Sequence, residues 1–189
     1  MSKFRNTLFS LLAAAVLIFS GCFHVSFNTG TTTTETTPEL SAEPTEAPSA
    51  KAVHFSTTAL DGTPVTQDFF KDHKVNFVHY WATWCGPCVG ELPSFPELYE
   101  KYKDRVGFMA VVDQDGAESA QKILDDSKVT FLNVGFFPEV TDIFGTIQYV
   151  PCTILVDDSG APLTDQIVGA VGVDEYSRRL DEALAAAAE

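Results

Sequence analysis

Positive charge is scarce in this chain. Twelve Lys and Arg stand against 26 Asp and Glu in 189 residues, a formal charge of −14. That balance excludes a nucleic-acid binder, whose phosphate contacts need a basic footprint. It equally excludes a polybasic patch for membrane surfaces. Cysteine is scarce too, with only Cys22, Cys85, Cys88 and Cys152. Four are too few to staple a small domain, and a 45% apolar composition can build a core without them. Only one pair, Cys85 and Cys88, stands two residues apart. With no second such pair and no spaced histidine pair beside it, a four-ligand structural zinc site is disfavoured. His24, His54 and His73 belong to no constellation. There is no internal repeat and no sign of a second folded domain.

Long apolar runs are short of a comfortable span. The run Leu8 to Gly21, LFSLLAAAVLIFSG, follows Lys3 and Arg5 and falls below the roughly 20 residues a transmembrane helix needs. A basic start and a short apolar stretch make residues 1–21 read as an export signal. It ends in FSGC, similar to a bacterial lipobox with Phe19 in the usual leucine position, so Cys22 is the expected lipid-attachment site. The alternative is an uncleaved anchor extended to Phe27. Both place the rest of the chain outside the cytoplasm. Residues 22–51 follow as a linker, Thr/Pro/Glu/Ala-rich from 28 onward, with too little apolar content to pack. Such a chain averages roughly 25–30 Å end to end and reaches about 75 Å as polyproline II.

From residue 52 the pattern becomes that of a folded domain. Asp61-Gly62 lies between two short extended runs, a hairpin signal. VNFVHYWA (75–82) and VGFMAVVD (106–113) are nearly uncharged and read as buried strands. A helix is expected from Gly86 or Pro87 to about Tyr102, bending at Pro93. A short amphipathic helix over ESAQKILDDS, a strand over 129–134 and a helix closed by Gly145 follow. Two strands about an Asp-Ser-Gly turn and a final helix from Val173, with Tyr176, Leu180 and Ala183 on one face, complete the pattern. Strand–helix alternation implies a partly parallel sheet with helices on both faces.

The pair in YWATWCGPCVGELP has three chemical readings. Zinc is one, disfavoured above. A purely structural disulfide is another, but so short a loop constrains the unfolded chain little. Redox exchange is the third. Cys85 just ahead of a helix has its thiolate stabilised by unpaired N–H groups and the helix dipole. Cys88, one turn on, can attack the mixed disulfide that Cys85 forms. Gly86 and Pro87 set the helix start, and Trp84 offers an apolar surface to a partner chain.

FVHYWATWCGPCVGELP resembles the active-site segment of the thioredoxin superfamily, most closely that of TlpA/ResA-like membrane-tethered thiol–disulfide oxidoreductases. ALDGTPV is similar to their N-terminal hairpin, Glu91 and Pro93 match their Glu-x-Pro, and IQYVPCTILVDDSGAPLTDQIVGAVGVDEY follows their cis-proline loop and last hairpin. The resemblance covers residues 53–189. It implies an α/β thioredoxin fold, with a central mixed β-sheet flanked by helices on both faces and an N-terminal β-hairpin. It also implies a cis Val150–Pro151 bond beside the cysteines, whose backbone pairs with a bound substrate chain.

Three residues depart from the family pattern or extend it. His79 occupies the place of a buried Asp or Asn and is expected either to relay the proton of Cys88 or to be a hydrogen-bonded core residue. Cys152 stands where Thr is usual and is expected near the pair, as a third thiol or as core filler. Glu91 is expected, as the resemblance implies, to orient substrate or to help titrate the cysteines, or else simply to be exposed.

The resemblance points to a disulfide reductase for exported proteins, without cofactor or metal, fed by a thiol-shuttling membrane donor. A disulfide oxidase or isomerase and a non-enzymatic surface lipoprotein are the alternatives. A peroxiredoxin-like peroxidase is disfavoured because no Thr-x-x-Cys precedes Cys85.

Overall fold

The computed structural model describes residues 53–113 and 116–188. The expected signal, the linker and Cys22 lie outside the described residues.

Among the described residues, seven strands and five α-helices follow in chain order. A hairpin of β1 (Ser56–Thr58) and β2 (Pro64–Thr66) leads through a 3-10 turn into β3 (Val75–Trp81). Then come α1 (Gly86–Glu91), α2 (Phe95–Tyr102), β4 (Val106–Val112) and α3 (Ala117–Asp126). The chain closes with β5 (Leu132–Gly135), α4 (Val140–Phe144), β6 (Cys152–Val156), β7 (Ile167–Val168) and α5 (Val173–Ala186). The main sheet has the order β5-β4-β3-β6-β7. β3, β4 and β5 run parallel, while β6 and β7 are antiparallel to their neighbours. This is the mixed sheet the resemblance implies.

β3 and β4 are buried along their whole length, as their uncharged composition requires. Alternate side chains therefore feed two separate cores. Phe77, Trp81, Phe108 and Leu155 pack with α1, α2, α3 and α5 on one face. Val78, Tyr80, Met109 and Ile154 pack with Phe55, Phe70 and α4 on the other.

The long helix expected after the cysteines breaks into three pieces. α1 ends at Glu91, a 3-10 turn occupies Leu92–Ser94, and α2 restarts at Phe95. Pro93 lacks the N–H that would continue the ladder, which explains the break. The strand expected over 129–134 begins later, at Leu132. Lys128 has φ 59° and the Val129 N–H bonds back to Leu124 O, so this stretch ends α3 rather than joining the sheet. The second strand of the last hairpin shrinks to two residues. Asp157 Oδ1 accepts from the N–H groups of Ser159 and Ala161, which folds the intervening chain into a broad loop.

Candidate active site

The cysteines sit where β3 hands over to α1. Cys85 is the N-cap of α1 in extended conformation, and Pro87 occupies its first turn. The Cys88 N–H points at Cys85 Sγ from 3.2 Å. The two sulfurs are joined in a disulfide. On reduction, that N–H and the helix N-terminus would face a Cys85 thiolate and favour its charge. Cys85 Sγ also lies 3.6 Å from Val150 O. The disulfide has no proton to give there, whereas a Cys85 thiol could donate one. Val150–Pro151 is cis, as expected, and the Val150 carbonyl holds the loop before β6 against the pair.

Around the pair, Gly86 and Pro87 are exposed. Trp84 and Tyr149 are 67% and 66% exposed, large values for aromatic side chains. They line the mouth of a groove of about 730 Å³ whose walls include Phe136, Ile147 and Val150. Tyr80 and Asp113 also line it, joined by a 2.8 Å hydrogen bond from the tyrosine hydroxyl.

Beneath the pair the core is polar in one spot. His79 and Glu91 are both buried, so of the two alternatives for Glu91 the exposed one falls. His79 Nδ1 lies 2.9 Å from Thr153 Oγ1. Thr153 donates to the Tyr176 hydroxyl at 3.3 Å, and Tyr176 donates to Glu91 Oε2 at 3.0 Å. Burial raises the Glu91 pKa to about 7 against the pull of the Tyr176 hydrogen bond. Burial depresses His79 to about 3. Phe77, Phe95 and Tyr176 stand in edge-to-face contact around this spot, and the Phe95 ring meets the His79 ring edge-on at 4.9 Å. Among the described residues His79 hydrogen-bonds to neither cysteine. A direct relay from Cys88 is therefore not what its contacts form, and its nitrogens turn to Thr153 and Glu91.

Cys152 takes the core-filler alternative of its two expected roles. It is buried in the core on the far side of the sheet, with Tyr80, Ile154 and Phe144, not in the core that holds Cys85 and Cys88. Its Sγ donates to Gln166 Oε1 at 3.1 Å. Burial pushes its thiol up to about 11, away from the thiolate that exchange chemistry needs. The Gln166 amide in turn donates to the carbonyls of Phe144 and Thr146, bracing the segment that leads to Pro151.

Sequence reasoning missed Thr153, Tyr176 and Tyr149. A signal did exist for the first two: a histidine and a glutamate buried on one face require partners, and Tyr176 was already placed on the buried face of the last helix.

The Redoxin family model matches residues 42–174. The thiol-disulfide oxidoreductase ResA of Bacillus anthracis is 33% identical over 127 residues, covering 63% of this chain and 68% of the relative. The thiol:disulfide interchange protein HelX of Rhodobacter capsulatus is 30% identical over 127 residues, covering 67% and 70%. A thioredoxin-family thiol:disulfide interchange protein from Chlorobium tepidum superposes with TM-score 0.62 at 24% identity, covering 70% of this chain and 94% of its own. A DsbF homologue from Corynebacterium diphtheriae superposes with TM-score 0.61 at 21% identity, over 69% and 85%. The mixed central sheet flanked by helices is thus that of the thioredoxin fold.

Proposed function

This chain belongs to the Redoxin family and is a thiol–disulfide oxidoreductase, and from that premise we propose that it reduces disulfides of exported proteins while tethered outside the cytoplasmic membrane. The observation that carries the reading is the placement of Cys85. Its sulfur caps α1, bonds to Cys88 and lies beside Val150 O at the edge of a groove flanked by two exposed aromatics.

Reduced Cys85, as thiolate, attacks one sulfur of a substrate disulfide. The substrate S–S bond breaks, its second sulfur leaves as thiolate, and a mixed disulfide with Cys85 forms. Cys88 then loses its proton and attacks Cys85 Sγ. The first substrate sulfur leaves as thiolate, and the Cys85–Cys88 bond is restored. Two electrons and two protons from a membrane dithiol donor reset the pair. Val150 and Pro151 present backbone to the substrate strand, and Trp84 and Tyr149 grip the side chains beside its cysteine.

The tether is the lipid on Cys22. Among the described residues no helix is long and apolar enough to cross a membrane. Mass spectrometry of the mature N-terminal peptide tests this. A diacylated peptide beginning at Cys22 supports the tether, and an intact signal sequence overturns lipidation.

The direction of exchange is tested by the reduction potential of the pair in glutathione or dithiothreitol buffers, with mass mapping of the bonded cysteines. A value near or below about −250 mV supports the reductase. A value of about −120 to −180 mV makes the chain a disulfide donor instead.

A further inference from the structure

Four contacts link His79, Thr153, Tyr176 and Glu91 in a closed ring. Tyr176 has one hydroxyl proton, and it points to Glu91 Oε2. Thr153 has one, and it points to Tyr176. With those two hydrogens so placed, the contact between His79 Nδ1 and Thr153 Oγ1 at 2.9 Å takes its hydrogen from the imidazole in its Nδ1–H tautomer. A neutral imidazole protonated at Nδ1 leaves Nε2 as a bare acceptor. Nε2 faces Glu91 Oε1 across 3.6 Å, and neither atom has any other hydrogen-bond partner.

A carboxylate there would set two acceptors against each other in a buried site, which is costly. A proton on Oε1 would let it donate to Nε2 once the gap closes by a few tenths of an ångström. Each of the four side chains would then donate once and accept once, in one direction around the ring. With one proton fewer, one of the four links has no hydrogen, whichever tautomer His79 adopts.

We propose that His79, Thr153 and Tyr176 close a hydrogen-bonded ring on Glu91 that is complete only with a fourth proton, making it a one-proton store beneath Cys88. The inference rests on the reading of Cys88 as the resolving thiol. Glu91 is three residues beyond Cys88 on α1, so the two side chains leave the same face of the helix, and both are buried. During resolution the Cys88 S–H proton passes to the Glu91 carboxylate. The freed electron pair forms the Cys85–Cys88 bond, and the bond from Cys85 to substrate sulfur breaks, its pair leaving as substrate thiolate. On reduction the ring returns the proton to the Cys88 sulfur. His79 and Thr153 never touch the reacting sulfur; they are positioning residues acting through Glu91.

The titratable groups on the surrounding elements are few. α1 brings Glu91 and the cysteine pair, β3 brings His79, α5 brings Tyr176, and β6 brings Cys152, which acts on Tyr176 electrostatically from the other side of the sheet, while α2 presents Phe95. Among the described residues no Lys or Arg pairs with Glu91.

The test is performed on the oxidised full chain without substrate. Glutamate side chains are labelled with ¹³C at the carboxyl, Glu91 is assigned with Glu91→Gln, and the signal is followed from pH 4 to 9. The wild-type Glu91 should titrate near 7. Thr153→Val strands the Nδ1–H of the acid form and should lower the midpoint by about one unit, the worth of one buried hydrogen bond. Tyr176→Phe removes a donor that favours the carboxylate and should raise it by a similar amount. Thr153→Ser keeps the hydroxyl and should restore the wild-type value. The pH midpoint for Cys88 displacing thionitrobenzoate from Cys85 should follow these shifts, whereas a merely structural role would slow that step equally at every pH. A wild-type midpoint below 5, or equal or same-signed shifts in Thr153→Val and Tyr176→Phe, overturns the ring. A high reduction potential overturns the reductase direction and leaves these midpoints where they are, so the two failures are distinguishable.

Discussion

Cys152 and Thr153 are neighbours on β6, yet their side chains enter opposite halves of the molecule. Thr153 joins a polar ring under the cysteine pair. Cys152 sits among Tyr80, Ile154 and Phe144 with its thiol on Gln166. Both halves are buried and rich in aromatics, so composition does not separate them. What separates them is the pleat: one step along a strand moves a side chain from the redox face to the packing face. Proximity in sequence to the cis-proline is therefore a poor guide to chemistry. Proximity to the helix N-terminus, where Cys85 and Cys88 lie, is a good one.

The bluntest way to break this comparison is to exchange the cysteines' fates. Cys85→Ser should reduce turnover of a protein disulfide, driven by dithiothreitol, to the uncatalysed rate. Cys88→Ser should trap the substrate on Cys85 as a mixed disulfide visible by mass. Cys152→Val should retain turnover and lose less than about 1.5 kcal/mol in urea unfolding. Loss of turnover in Cys152→Val would show that the two faces share the chemistry after all.

Next in size is a matched pair of core truncations. Phe95→Ala on the ring face and Phe55→Ala on the other should each cost about 3–5 kcal/mol in urea unfolding. Only Phe95→Ala should also lower the Glu91 midpoint, because water admitted beside His79 reduces the burial that raises it. Equal Glu91 midpoints in the two variants would remove the distinction between the halves.

A smaller effect belongs to the rim. Trp84→Ala should lower kcat/KM for a protein disulfide about tenfold, mostly through KM, as expected for an aromatic anchor worth more than about 1 kcal/mol. Val168→Ala, also exposed but on β7 away from the groove lining, should leave it unchanged.

The smallest effect is a pH signature in stability. Glu91, raised from 4.5 to about 7, contributes stability that is present below 4.5 and lost as pH rises through 7. His79, lowered from 6.5 to about 3, contributes stability that is present above 6.5 and lost as pH falls through 3. Between 4.5 and 6.5 the folded and unfolded chains both hold one proton on this pair, so the two slopes cancel. The stability difference between wild type and a His79→Asn/Glu91→Gln double variant should be flat across that window and shrink below it. A steady slope through it would mean that the two groups titrate independently of their burial.

Much of this was legible in the sequence because the signals are local. The uncharged runs 75–81 and 106–112 mark central strands, Pro87 marks a helix start and Pro93 a bend, which the structure deepens into a break. Gly-Pro between two cysteines marks the chemistry. The ring was not legible, since its members lie in four segments and Glu91 is 85 residues from Tyr176. No spacing rule links them; only the demand that buried polar atoms find partners does. The side of the sheet taken by Cys152 was missed although strand alternation contains it: a buried Phe77 and Leu155 on one face commit residue 152 to the other. The late start of β5 was hidden because Val129 and Phe131 look like strand residues and are buried, but in a turn that ends α3.

At the far end of β3 from the cysteines, the Asn76 amide nitrogen lies 3.1–3.2 Å from the carbonyl oxygens of Phe70, His73 and Asp157 and shares its two hydrogens among them. Its side chain lies across Gly107, its partner in the parallel β3–β4 register. A methyl group built on Gly107 would sit 2.1 Å from Asn76 Oδ1. The two positions therefore constrain each other's evolution. An alanine at 107 is tolerated only in a chain that has already given up the asparagine, and the three carbonyls with it. In an alignment of relatives, large residues at 107 should accompany loss of Asn at 76, so the pair would covary while lying far from any redox chemistry.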